Sequence, residues 1–254
     1  MTEFFILIRG IYAIVWRELI VFTREKPRLI SALISPIIWF IVFSSGFGPA
    51  IGNINGIAYK EYLFIGIITQ TILFTSIFYG AYLVWDRKID ALKAILVSPM
   101  DRTIIFYGKV FGGTIIGLIE VLMLIILGLF LGININLISV IKLIPIVILT
   151  NIIFTAIGLS IGSVMSSPEG FQLLSTFVIF PLFFLSGAIF PISNLSGTLN
   201  LLAKLNPLTY IVDLMRYSVF EIALFNIEIS SLIIFTSLLV SNGLGVYLFK
   251  KMKN

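Results

Sequence analysis

"FYGAYLVWDRKIDALKAILVSPMDRTIIFYGK", residues 78–109, breaks the texture of the chain around it. Nearly pure hydrocarbon stops at Trp85, a charged passage interspersed with short apolar runs follows, and the hydrocarbon resumes after Arg102. If the flanks cross a membrane, this passage is a short polar excursion between two spans.

The composition favours that reading. Of 254 residues, 59% are hydrophobic and only 11% are charged, and the mean hydropathy is +1.13. A soluble domain carries about 25% charged residues, so the polar surface here is too small to cover a globule in water. Apolar runs longer than 18 residues recur, which predicts an all-α polytopic membrane protein. A barrel would instead alternate polar and apolar residues. Cysteine and histidine are both absent, which removes thiolate metal sites, most zinc sites and the commonest general base, so no metal site is expected. The start, "MTEFFILIRG", has no basic region before its apolar stretch, so no cleaved signal peptide is expected.

Residues 1–28 read as an interfacial amphipathic helix or as a helix packed on the rest of the protein. Phe4, Ile8, Ile11, Val15, Leu19 and Phe22 recur at spacings of three and four, with Arg9, Arg17 and Arg24 opposite and Ile6, Ile14 and Ile20 off the stripe. Six spans follow, near 29–48, 62–85, 103–133, 143–165, 171–189 and 229–249. The third is too long for a bilayer of about 30 Å unless it tilts or projects.

Basic residues orient the spans. With both termini in the cytoplasm, Arg9, Arg17, Arg24, Lys26, Arg28, Arg87, Lys88, Lys93, Arg102, Lys109, Lys250, Lys251 and Lys253 lie on or near the inner side. Only Lys60, Lys142, Lys204 and Arg216 lie on the outer side. The net charge of +5 therefore reflects membrane topology, and no nucleic-acid partner is expected. Gly108, Gly112, Gly113 and Gly117, and Gly158 with Gly162, are small residues four apart, a spacing that lets helices approach closely, within the chain in preference to between subunits.

No phosphate-binding loop occurs, since Gly108-Lys109 is followed by Val110 and lacks the earlier glycine. No catalytic constellation appears either, so the chain is not expected to be an enzyme. Glu120 is the acidic residue deep inside a span, where a carboxylate is costly and marks either a functional or a packing role. Glu120, Gln70, Phe74, Phe78 and Tyr82 are the candidate pathway or gate residues.

The segment 190–228 is too polar for a plain span and too apolar for a plain loop. Asn206-Pro207 splits it into two amphipathic pieces, which predicts a re-entrant or interfacial helical hairpin at the outer leaflet. Its marked residues are Pro191, Asn206, Pro207, Asp213 and Arg216, the last two spaced to pair. In the opening stretch, residues 86–99, Ile89, Leu92 and Leu96 share one predicted helical face beside Arg87, Lys88, Asp90 and Lys93, and Ser98-Pro99 ends the helix.

"WDRKIDALKAILVSPMDRTIIFYGKVFGG", then "FFLSGAIFPISNL" and "LNPLTYIVDLMRY", together resemble the membrane-spanning permease subunit of type-2 ABC exporters, over nearly the whole chain. The resemblance implies one transmembrane permease domain over 1–254, paired with a second permease copy, a homodimer being expected. It implies a separate ABC ATPase that holds ATP and magnesium, with no cofactor in this chain. It also implies a multi-pass location in the cell membrane. The helix after span two becomes the coupling helix: Arg87, Lys88, Ile89, Asp90, Leu92, Lys93 and Leu96 take that role, and Pro99 and Arg102 set its exit. In this family the passage commonly opens acidic-basic-acidic and carries a Gly-Thr step, whereas this chain reads Asp86-Arg87-Lys88-Ile89-Asp90-Ala91. On this reading, changing Leu92 and Leu96 to Asp is expected to abolish ATPase association. The alternatives are a proton-coupled secondary transporter with Glu120 as relay, and a non-transporting assembly factor. The transported substrate is not legible.

Overall fold

Asp101, Asn136, Ser167, Asn206 and Asn226 each accept a hydrogen bond from a backbone N–H two or three residues on, and each opens a helix. Such side-chain caps satisfy donors that a helix start otherwise leaves orphaned. In the computed structural model the helices are α1 (Thr2–Arg24), α2 (Lys26–Ile51), α3 (Tyr59–Lys88), α4 (Ala91–Leu96), α5 (Arg102–Phe130), α6 (Leu137–Val164), α7 (Pro168–Phe184), α8 (Gly197–Leu205), α9 (Pro207–Phe220) and α10 (Ile227–Lys251). A two-stranded hairpin, β1 (Asn53–Ile54) and β2 (Ile57–Ala58), turns between α2 and α3 at Asn55-Gly56, both with positive φ. The structure describes residues 2–98 and 100–252. The readings on Pro99 and Lys253 lie outside them, as do those on the side chains of Phe4, Ile6, Arg28, Lys93 and Leu96.

Among the described residues, α2, α3, α5, α6 and α10 are long and apolar enough to cross a membrane. The fold is therefore an all-α polytopic membrane protein, as its sequence predicts. The count of six does not follow from helix length. α7 has 17 residues, about 26 Å at 1.5 Å per residue, which is short of a hydrocarbon core of about 30 Å. Two carbonyls at its C-terminal end are taken by residues at the start of α9. Asn206 Nδ2 donates to Leu182 O at 2.7 Å and Thr209 Oγ1 to Leu185 O at 3.4 Å.

α3 sits at the centre and is buried through most of its length. Its closest neighbour is α6, where Gly80, Gly158 and Gly162 bring the two backbones together. On α5, Gly108 and Gly112 receive α1, while Gly113 and Gly117 receive Thr155 and Asn151 of α6. The glycine pairs thus serve packing within the chain, as their spacing suggests.

One end of the bundle gathers α1, the 86–102 passage and both the α6–α7 junction and the C-terminal end of α10. There Arg102 donates to Lys250 O at 2.9 Å and Met252 O at 2.8 Å, capping α10. The opposite end holds the β-hairpin and the α5–α6 and α9–α10 links. Lys60 reaches Gly132 O there at 3.0 Å, and Lys142 meets Glu221 at 3.2 Å.

The register of α1 differs from the expected stripe. Gly10, Ile14, Glu18 and Phe22 are buried, while Ile8 is exposed. The reason lies on α5, whose Gly108 and Gly112 leave room for Ile14 and Glu18. α1 therefore packs on protein along one face. Its other face leaves Leu7, Ile8, Tyr12 and Trp16 exposed, with the two aromatic rings stacked at 6.3 Å.

Candidate functional site

The expected amphipathic helix over 86–99 is shorter than its pattern. α3 continues through Lys88, its ladder extended by the Ile89 N–H donating to Trp85 O at 3.0 Å. Arg87 holds this last turn by donating to Gly162 O at 2.8 Å, Ser163 O at 3.3 Å and Met165 O, the final carbonyls of α6. The break comes at Asp90, with φ +59°, and only Ala91–Leu96 forms the separate helix α4. Ile89 and Leu92 therefore do not share one continuous apolar face. Ile89 is 66% exposed in the turn, whereas Leu92 is 0% exposed and lies in a core cluster with Leu83, Ile105 and Phe106. A Leu92→Asp change would damage the fold itself. Lys88 faces the Trp85 ring at 4.9 Å, and Val97 is 85% exposed just past α4.

Beneath this turn lies a buried charge cluster. Lys109 Nζ, wholly buried on α5, sits 3.0 Å from Glu18 Oε1 and 2.7 Å from Asp86 Oδ2. Arg17 meets the same two carboxylates at 2.8 and 3.2 Å. Two cations and two anions thus join α1, α3 and α5. Burial pushes the Glu18 carboxyl up, but the Lys109 ammonium, the Tyr79 hydroxyl and Arg17 outweigh it and hold Glu18 below the ordinary carboxylate range. Topology counting treats Lys109 and Arg17 as inner-side charges and passes over Glu18. A usable signal exists all the same. Glu18 stands four residues from both Ile14 and Phe22, and Lys109 interrupts an apolar run.

The five pathway candidates come together around one cavity of about 420 Å³. Gln70, Phe74, Phe78 and Tyr82 come from α3 and Glu120 from α5, with Ser35, Pro36 and Trp39 of α2 and Phe180 of α7 opposite. Thr75 donates its hydroxyl to the Glu120 carboxylate, and Phe74 and Phe180 meet edge to face at 5.7 Å.

The hairpin divides at Asn206-Pro207 as expected, with Asn206 capping α9 through its Oδ1. Pro191 precedes a short 3-10 turn. Asp213 and Arg216 do not bond each other. Both are buried, and each takes backbone partners, because a buried charge needs several hydrogen bonds. Asp213 accepts from Leu224 N at 2.8 Å and Phe225 N at 3.0 Å. Arg216 donates to Gly187 O at 2.7 Å and Ala188 O at 3.0 Å and lies 3.5 Å from the Tyr62 ring. Arg216→Met removes both bonds and the ring contact, with an expected stability loss of about 2 kcal/mol. The check is the thermal unfolding midpoint of the purified protein.

The described residues thus form a bundle of apolar helices with a cavity among them and the short helix α4 at one end. A family model described as ABC-2 type transporter matches residues 9–220, and the chain belongs to that family. It is 27% identical to "Putative transport permease ycf38" of Cyanophora paradoxa, over 99% of this chain and 91% of that protein. It is 28% identical to "Inner membrane transport permease YadH" of Escherichia coli (strain K12), over 74% of each chain. With "Nodulation protein J" of Rhizobium leguminosarum bv. viciae the identity is 24%, over 74% of this chain and 73% of that one. The chain is thus a membrane permease subunit of an ABC exporter.

Proposed function

We propose that this permease receives its energy at the end of the bundle carrying α4, from a separate ABC ATPase that holds ATP and magnesium. The observation that carries this is the construction of that end. α4 is fixed to the bundle through Leu92, while Ile89 and Val97 project on either side of it. A partner groove can grip the projecting side chains, and the anchored ones pass the load to α3. The Arg17–Glu18–Asp86–Lys109 cluster ties the same end to α1 and α5. Basic residues such as Arg87, Lys88, Arg102, Lys250 and Lys251 belong to that end, which supports a cytoplasmic side for both termini in a cell membrane. A second copy of the permease completes the path, with the cavity at Glu120 and Gln70 on it and the α8–α9 hairpin closing the outer end.

The test spares Leu92. The double variant Ile89→Asp, Val97→Asp is expected to stay monodisperse in detergent and to lose ATPase co-purification at least tenfold. Undiminished co-purification of the folded variant would overturn the proposal.

A further inference from the structure

We propose that a second cavity, between the C-terminal ends of α3, α6 and α10 and the start of α7, binds the headgroup of an anionic phospholipid. It is separate from the cavity at Gln70 and has a volume of about 630 Å³. That lies within the range of about 300–1,000 Å³ usual for small-molecule sites.

Three observations agree on that ligand. The first is charge. Arg87, Lys88 and Lys251 line the cavity, and none of its described lining residues is acidic. Glu169 and Asp90 lie close to the lining in sequence, but both are exposed and outside it. The carbonyls that end α6 accept from Arg87, and those that end α10 accept from Arg102. The helix ends are thus answered by arginines, and the two lysines are left over. An ammonium group offers three donors and no acceptor, and Ser166 adds an exposed hydroxyl to the same wall. Phosphate oxygens accept from all of these. A zwitterionic headgroup would set a cation of its own against the lysines.

The second is depth. Lys88 Nζ lies 4.9 Å from the Trp85 ring, and Lys251 Nζ lies 4.4 Å from the Tyr247 ring. Both rings are exposed near the ends of long apolar helices. Trp and Tyr gather where a bilayer meets water, and lysines there bend toward the headgroups. The cavity therefore stands at the level of lipid phosphates.

The third is the rest of the wall. Val84, Val164, Leu248 and Met252 line the cavity beside the cations. A free anion gains nothing from that surface, whereas the upper part of a lipid chain buries against it. Basic pockets between membrane helices are a recurrent form of headgroup recognition. A headgroup held here would bridge α3, α6 and α10 just where α3 runs on toward α4.

The experiment is native mass spectrometry of the purified permease in detergent, titrated with dioleoyl phosphatidylglycerol or dioleoyl phosphatidylcholine. No ATPase is present, so its failure is separate from any failure of coupling or transport. The first phosphatidylglycerol is expected to bind at least tenfold more tightly than the first phosphatidylcholine. Lys88→Gln with Lys251→Gln is expected to erase that preference. Arg24→Gln with Lys26→Gln removes the same charge outside the cavity and is expected to keep it. Excess inorganic phosphate distinguishes a free-anion site from a lipid site, and the lipid is expected to stay bound. Equal binding of the two lipids by the unaltered protein would overturn the proposal without recourse to any variant. So would retention of the preference in the folded Lys88→Gln, Lys251→Gln protein, its loss in the folded Arg24→Gln, Lys26→Gln protein, or displacement of the lipid by phosphate.

Discussion

Lys109→Met is expected to destabilise the folded chain by about 3–5 kcal/mol, the range for removing one partner from a buried ion pair. Methionine keeps most of the apolar stem, so the loss is largely electrostatic. Glu18 and Asp86 would remain at their places on α1 and α3, both turned toward the vacated ammonium position. Arg17 alone cannot compensate them, since it is a third exposed and reaches them from the rim. The first element to detach is expected to be α1, whose buried stripe includes Glu18 itself. Trypsin cleavage after Arg24, at the break between α1 and α2, should therefore accelerate together with the fall in unfolding midpoint. A companion variant separates charge from packing. Lys109→Met combined with Glu18→Gln and Asp86→Asn removes the stranded carboxylates and is expected to recover more than half of the lost stability. If the single and triple variants unfold alike, the cluster acts through shape and not charge.

Much of the fold was legible because lipid imposes a strong rule. Backbone groups in hydrocarbon must bond within helices, so long apolar runs such as 103–133 and 143–165 reveal α5 and α6 directly. Asn206-Pro207 also told the truth, since proline and an Asx cap act locally. Two details of pattern, the stripe of α1 and the extent of the helix after Trp85, differ from the structure for one physical reason: periodicity registers which residues are apolar and not which neighbour they meet. α1 turned its Ile14 and Glu18 side inward because of glycines on α5, about ninety residues away in sequence. The passage after Trp85 has a helical pattern, but Arg87 is committed to the end of α6, so α3 keeps the first part and Asp90 breaks the rest. The cavity candidates converged since Gln70, Phe74 and Phe78 stand four residues apart on a helix that was correctly placed. The pairing of Lys109 required tertiary structure.

Gly158→Leu is expected to prevent accumulation of folded permease. A β-carbon at Gly158 would meet the carbonyl oxygens of Ser76 and Ile77 and the α-carbon of Ile77, the last at 2.9 Å. These are backbone atoms of the central helix, so no rotamer change relieves the contact. α3 and α6 must move apart. Separation would also strain the Ser76–Asn151 hydrogen bond of 2.9 Å and the reciprocal contacts of Gly80 and Gly162. Core overpacking costs about 1–3 kcal/mol where side chains can shift. A seam of two backbones lies beyond that range, so even Gly158→Ala is expected to lower the unfolding midpoint clearly. For Leu the cost, on the order of 4 kcal/mol or more, approaches the whole stability of a typical domain, about 5–15 kcal/mol. Gly243→Leu on α10 is the control, since no atom lies within 4 Å of its would-be β-carbon. Size-exclusion profiles of fluorescent-protein fusions extracted in mild detergent distinguish the two. The control should elute at the position and yield of the parent, and Gly158→Leu should be lost to aggregate. Since α3 carries both the turn at Ile89 and the cavity wall at Gln70, this seam is also what makes those two places parts of one stiff body.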